Sequence, residues 1–198
     1  MNDYFAVFGL PRKLEVDVAD LQRRFYELSR RHHPDFHQQV SEHEQAATLE
    51  RSALINRAYR ALRDPLARIE YLIALEEGRE TKEGAAIKPK APPDLLEEMM
   101  EIQEALEEAK SSGLDVEARA RLGQERQRLI AREAAEEAAV VERFAEWDLA
   151  IAAGSNRTGL LDQFKQSLAV RAYLRTVIDD LGEALGEDQD AHVSHRRH

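Results

Sequence analysis

The 198-residue chain has no cysteine. Disulfides, thiolate zinc sites, thiolate-held iron–sulfur clusters and a cysteine nucleophile are therefore excluded. Glycine and proline are scarce, at 9 and 6 residues. Both weaken helix interiors, so their scarcity favours helices over sheets. Long apolar runs are missing as well. No stretch nears the ~20 apolar residues of a membrane span, and Met1-Asn2-Asp3-Tyr4-Phe5 lacks the basic start and apolar middle of a signal peptide. Excess positive charge is also lacking. Lys and Arg number 28 against 38 Asp and Glu, a formal net charge of −10, which argues against nucleic-acid binding by the whole protein. There is no Gly-rich phosphate loop, no nucleophile elbow and no zinc-protease motif. The many carboxylates fall at helical surface spacing. The expectation is a soluble cytoplasmic protein that is not an enzyme and carries no cofactor or metal.

What is present is helical pattern with sharp punctuation. A short apolar run, Tyr4 to Leu10, is closed by Gly9 and Pro11. Asp17 is a good N-cap, and after it Leu21, Phe25 and Leu28 recur at helical spacing. Arg23, Arg24, Arg30 and Arg31 fall in pairs seven apart, on a different face. A solvated surface is the bland reading of such arginines. Here, however, they run directly into His33-Pro34-Asp35, where proline ends the helix and puts a polar tripeptide on a stiff bend. Ser41 and Glu44 form a capping box for a helix reaching Arg63, with Leu49, Ala53, Asn56 and Leu62 on or near one side and Ile55 and Tyr59 beside them. Asp64-Pro65 punctuates it, and Pro65 suits the first position of a further helix to about Leu75.

Residues 77–93 read as a linker, with Gly78, Gly84, Pro89, Pro92 and Pro93 among alternating charges. Beyond it lie long Ala/Glu/Arg/Leu-rich helices. The first, Asp94 to Lys110, has a seam at Leu95, Met99, Ile102, Leu106 and Ala109. The second is a long run after Asp115 that includes Leu122, Leu129, Val140, Phe144, Trp147 and Ile151. The third starts near Thr158, with Leu161, Phe164, Leu168, Leu174, Ile178, Leu181 and Leu185 on a stripe. Short connections between three such helices predict an antiparallel three-helix bundle over 94–186. Residues 187–198 read as a disordered tail.

A lead helix, a basic helix, His33-Pro34-Asp35 and then Asn56-Arg57-Ala58-Tyr59-Arg60-Ala61-Leu62-Arg63-Asp64-Pro65 resemble a J domain, covering about residues 1–76. Asp3-Tyr4-Phe5-Ala6-Val7-Phe8-Gly9-Leu10-Pro11, Pro65-Leu66-Ala67-Arg68-Ile69-Glu70-Tyr71-Leu72 and the helical domain behind a linker resemble the HscB family, J-domain cochaperones of iron–sulfur cluster assembly. The fold implied is all-α: a J domain, built as a helical hairpin around the His-Pro-Asp loop with short flanking helices, followed by the bundle. Two features depart from the family. Phe36-His37 follows the tripeptide in place of a basic residue, and the middle helix of the second half is longer and Ala-rich, with a polar tail at the end of the chain. The cysteine module of some eukaryotic relatives also has no counterpart.

The resemblance implies two partners. One is an ATPase chaperone of the DnaK/HscA type, met by His33, Pro34 and Asp35 and by Arg23, Arg24, Arg30 and Arg31, with Asp35 pairing a chaperone cation and biasing the chaperone toward hydrolysis. The other is an IscU-type scaffold protein, met by Leu96, Met100, Glu101 and Glu104 and, less closely matched, by Tyr173. Spacing alone leaves Leu96 and Met100 open between partner contact and bundle core, because they sit one step round from the seam. Two other readings remain. His32, His33, Asp35 and His37 are metal-ligand types, but Pro34 breaks the helix that would align them. A general J-domain cochaperone that delivers unfolded clients would share the first half of the chain.

Overall fold

The computed structural model describes residues 3–32, 41–78 and 92–186. Among them are eight α-helices and no strand. In chain order they are α1 (Tyr4–Val7), α2 (Val18–Arg31), α3 (Glu42–Arg63), α4 (Pro65–Glu76), α5 (Pro93–Ser112), α6 (Val116–Glu142), α7 (Phe144–Ala152) and α8 (Thr158–Leu185). The all-α fold expected from the sequence is the one observed. His33, Pro34 and Asp35, most of the linker and the tail lie outside the described residues.

The helices start where the sequence offers caps. Asp3 accepts from the Phe5 N–H at 3.0 Å, and Asp17 accepts from Ala19 and Asp20 at 2.9 and 3.1 Å. Ser41 and Glu44 close a reciprocal capping box, and Asp64 accepts from Ala67 with Pro65 in the first turn. Each such bond satisfies an amide that the helix itself leaves open.

The chain divides into two compact units. The first holds residues 1–86 together with 141–161. Its core gathers Phe5, Phe8, Leu14, Leu21, Leu54, Ile55, Ala58, Leu62, Ile69 and Leu72 with Phe144 and Trp147. The Phe25 ring stacks on Tyr59 at 4.1 Å and pins α2 to α3. The buried side of α3 is Leu54, Ile55, Ala58 and Leu62, not the side through Leu49, which is 57% exposed. The long run after Asp115 is also interrupted. Helix α6 stops at Glu142, and α7 begins a separate course, burying Phe144 and Trp147 in the first unit. This unit therefore takes a segment from deep in the second half of the sequence, whereas chain order alone puts that segment with 94–186.

The second unit holds 87–140 and 162–198. Leu95, Met99, Ile102, Leu106 and Ala109 of α5 are all buried, against Leu122 and Leu129 of α6 and Leu174, Ile178, Leu181 and Leu185 of α8. Helix α5 ends at Gly113, whose φ of 85° is a conformation glycine adopts without strain. The helix directions follow from polar bonds. Arg132 of α6 reaches Glu98 near the start of α5 at 2.5 Å, so these two helices are antiparallel. Arg119 near the start of α6 donates to the Leu185 carbonyl at the end of α8 at 2.7 Å, and Arg171 near its middle meets Glu137 at 2.5 Å. That pair is antiparallel too, and α5 and α8 consequently run parallel.

Burial works to raise the Glu98 carboxyl, but hydrogen bonds and charge from Arg128 and Arg132 outweigh it and hold the group below the usual carboxylate range. A depressed carboxyl contributes stability above its unfolded pKa and loses it as pH falls through the folded one. Acid unfolding should therefore be steeper in the native protein than in Glu98→Gln. Both arginines are more than a third exposed, at 54% and 38%, so the difference should stay under about 1 kcal/mol, a few degrees of Tm. Parallel Tm-against-pH curves for the two proteins would contradict this.

Candidate functional site: two partner-facing surfaces

The first surface is the outer side of α2. Arg23 points outward, its side chain 66% exposed, and pairs with Asp20 one turn earlier. Arg30 and Arg31 are exposed in the last turn, where positive charge complements the helix dipole. Tyr26, 61% exposed, lies between Arg23 and Arg30. Arg24 points elsewhere. Its Nε meets Asp20 at 2.9 Å, while Nη1 donates to the carbonyls of Phe8 and Gly9 at 2.8 and 3.2 Å. Gly9 sits at φ 61°, and a Cβ there would lie 3.5 Å from the same Nη1. Arg24 thus ties α2 to the turn after α1. Arg24→Ala should lower stability by about 1–2 kcal/mol through lost charge-assisted bonds. Denaturant titration checks this, and an unchanged midpoint would contradict it.

The second surface lies on α5. Leu95 is 1% exposed, but Leu96, turned 100° further round, is 43% exposed, and Met100 one turn on is 64% exposed. Glu101 and Glu104 are exposed beside them. Leu96 and Met100 are therefore off the core. Tyr173 is 37% exposed on α8. Gln103 of α5 donates to Asp180 of α8 at 3.0 Å. Leu96 and Tyr173 each precede those residues by seven positions, two turns back on nearly the same face. In a parallel pair, that brings Leu96 and Tyr173 to one level and one side of the bundle.

Two charged side chains not singled out from the sequence are buried in the first unit. Arg68 is 3% exposed and Asp148 7%. Burial lowers the Arg68 pKa, opposed by the charges of Asp64 and Asp148. Neither had a clear signal in the sequence, since each shares a short, largely apolar helix with another charge, Arg68 with Glu70 and Glu76 and Asp148 with Glu146. The metal-ligand reading rests on His32, His33, Asp35 and His37, of which only His32 lies among the described residues. Among the described residues no helix is long and apolar enough to cross a membrane.

A basic hairpin helix behind a capped lead helix, followed by a separate helical bundle with an exposed apolar–acidic face, defines a two-part J-domain protein. Residues 3–71 match the DnaJ domain family, and residues 91–158 match the family described as the HSCB C-terminal oligomerisation domain. Leu96, Met100, Glu101 and Glu104 fall inside the second match, and Tyr173 lies beyond it. The fold is similar to that of the chaperone HscB from Vibrio cholerae, at 28% identity and TM-score 0.61, covering 95% of this chain and 99% of that one. It is likewise similar to the human co-chaperone protein HscB, at 25% identity and TM-score 0.62, covering 91% of this chain and 81% of that one. The chain belongs to the HscB family of J-domain cochaperones. These are non-enzymatic proteins of iron–sulfur cluster assembly that work beside an Hsp70-type chaperone.

Proposed function

We propose that the protein carries an IscU-type scaffold to an HscA-type chaperone in the cytoplasm and stimulates that chaperone's ATP hydrolysis, using one surface for each partner. Functionally, residues 1–76 face the chaperone and 94–186 the scaffold, although the first folding unit also takes in 141–161. The chaperone side consists of Arg23, Arg30, Arg31, His33, Pro34 and Asp35, with Arg24 behind them holding α2 in place. Clustered arginines speed encounter with an acidic groove. Asp35 then pairs with a chaperone cation. Stimulation follows only if that pair is stronger in the hydrolysis-competent state, since a partner shifts an equilibrium by its differential affinity.

The scaffold side consists of Leu96, Met100 and Tyr173 rimmed by Glu101 and Glu104. The observation that carries this assignment is the exposure of three large apolar side chains on one flank of the bundle while the neighbouring seam is fully buried. Exposed apolar area with an acidic rim suits a partner bearing apolar and basic residues. The test is a binding titration of the full chain against a folded IscU-type scaffold and, separately, a denatured client protein. Saturable binding to the scaffold alone supports the reading. Equal binding to denatured clients would make this a general client-delivering cochaperone instead.

A further inference from the structure

The two buried charges of the first unit converge on one short piece of non-helical chain. Asp148 of α7 accepts from the Leu14 N–H at 2.8 Å and the Glu15 N–H at 3.0 Å. Arg68 of α4 donates Nη1 to the Leu14 carbonyl. The backbone at Leu14–Glu15 is thus held along both edges, and the Leu14 side chain is fully buried between them. The same guanidinium donates Nε to the Leu62 carbonyl at 2.7 Å and Nη2 to the Arg63 carbonyl at 3.4 Å, the last turn of α3. Two residues after Glu15 comes Asp17, the N-cap of α2. One clamp therefore ties the approach to α2 to the end of α3, and it is completed by an aspartate from α7.

Buried charge is weak evidence for stability, because packed apolar groups often serve as well. Its better-attested use is to specify one register. Here the register is that of α2 against α3, the two helices that flank residues 33–40. We propose that Asp148 and Arg68 are positioning residues for chaperone docking. They fix the pose in which Arg23 and Arg30 of α2 are presented, an inference that rests on the chaperone-docking reading above. With the clamp released, α2 samples neighbouring registers and only a fraction of molecules is competent to dock. Apparent affinity then falls by that fraction, while the docked complex, once formed, is unchanged.

The experiment uses the full chain and its chaperone. Asp148→Asn keeps the size of the side chain, but it loses one of two acceptors and turns an amide N–H toward a backbone N–H. Arg68→Lys keeps the charge and loses the fork. The expected result for both is a rise of about fivefold or more in the concentration giving half-maximal ATPase stimulation. Saturating stimulation should stay within about twofold of the native level, scaffold affinity should be unchanged, and the Leu14 and Glu15 amides should exchange faster. A half-maximal concentration that stays native while those amides exchange faster would overturn the proposal. So would a fall in saturating stimulation, or loss of helical circular dichroism in both variants, which would make the clamp a fold requirement only. A native protein that fails to stimulate at all would instead remove the docking reading beneath it, and that is seen before any variant is made.

Discussion

Asp35→Asn should reduce ATPase stimulation to the chaperone's basal rate, a loss of at least about tenfold, in a protein that remains folded. The substitution keeps shape and removes charge. An aspartate that pairs with a partner cation contributes through that charge, and truncating one partner of such a pair costs on the order of 2–5 kcal/mol, enough to empty the productive complex. Among the described residues, the cores of both units are built from apolar side chains elsewhere in the chain. Circular dichroism and thermal melting should therefore match the native protein. Unlike the Asp148 variant, where excess cochaperone restores full stimulation, the Asp35 variant should stay inactive at saturation. Full stimulation by folded Asp35→Asn would refute the assigned mechanism.

The paired substitution Leu96→Ala/Met100→Ala should weaken scaffold binding by roughly ten- to a hundredfold, from about 1–2 kcal/mol at each of two central apolar contacts. Stability should barely change, because exposed side chains away from the seam affect folding by less than about 0.5 kcal/mol each. Leu95 and Met99 supply the contrast. They are 1% and 6% exposed, so truncating them should cost stability first, about 2–5 kcal/mol apiece. Isothermal titration of the scaffold, set beside a denaturant melt, separates the two pairs. A scaffold affinity unaltered by the Leu96/Met100 pair would remove the assigned face.

The amino-acid pattern made some of this legible and hid other parts for physical reasons. The α5 seam was readable residue by residue, since apolar positions recur at 3.5-residue spacing between charged neighbours, and all five are buried. The caps at Asp17 and Ser41 were equally plain, the first from an aspartate before an apolar period and the second from its capping box with Glu44, whereas Asp64 read only as punctuation before Pro65 and proved to be a cap as well. The stripe on α3 came out shifted. Ala46, Ala47, Ala53, Ala58 and Ala61 blur the contrast between its faces, and tertiary packing chose the Leu54/Ile55 side. The apolar, weakly patterned stretch from Phe144 to Ala152 reads as continuing α6, and periodicity cannot say which core it joins. Arg24, Arg68 and Asp148 look like surface charges in one dimension. Only the fold shows that their partners are backbone carbonyls and amides 15, 54 and 134 residues away. Of the scaffold face, the residue types were legible, but whether Leu96 and Met100 faced inward was a question of 100° of helix rotation that the sequence left even.

The central claim, one surface for the chaperone and another for its cargo, is tested most directly by the steady-state ATPase rate of an HscA-type chaperone. The rate should be measured with this protein alone, with an IscU-type scaffold alone, and with both. The account predicts stimulation by the protein alone and a markedly greater rate with both, since the cochaperone then delivers a bound scaffold to the same chaperone molecule. A rate with both that merely equals the sum of the separate effects, or no response to this protein, would contradict it.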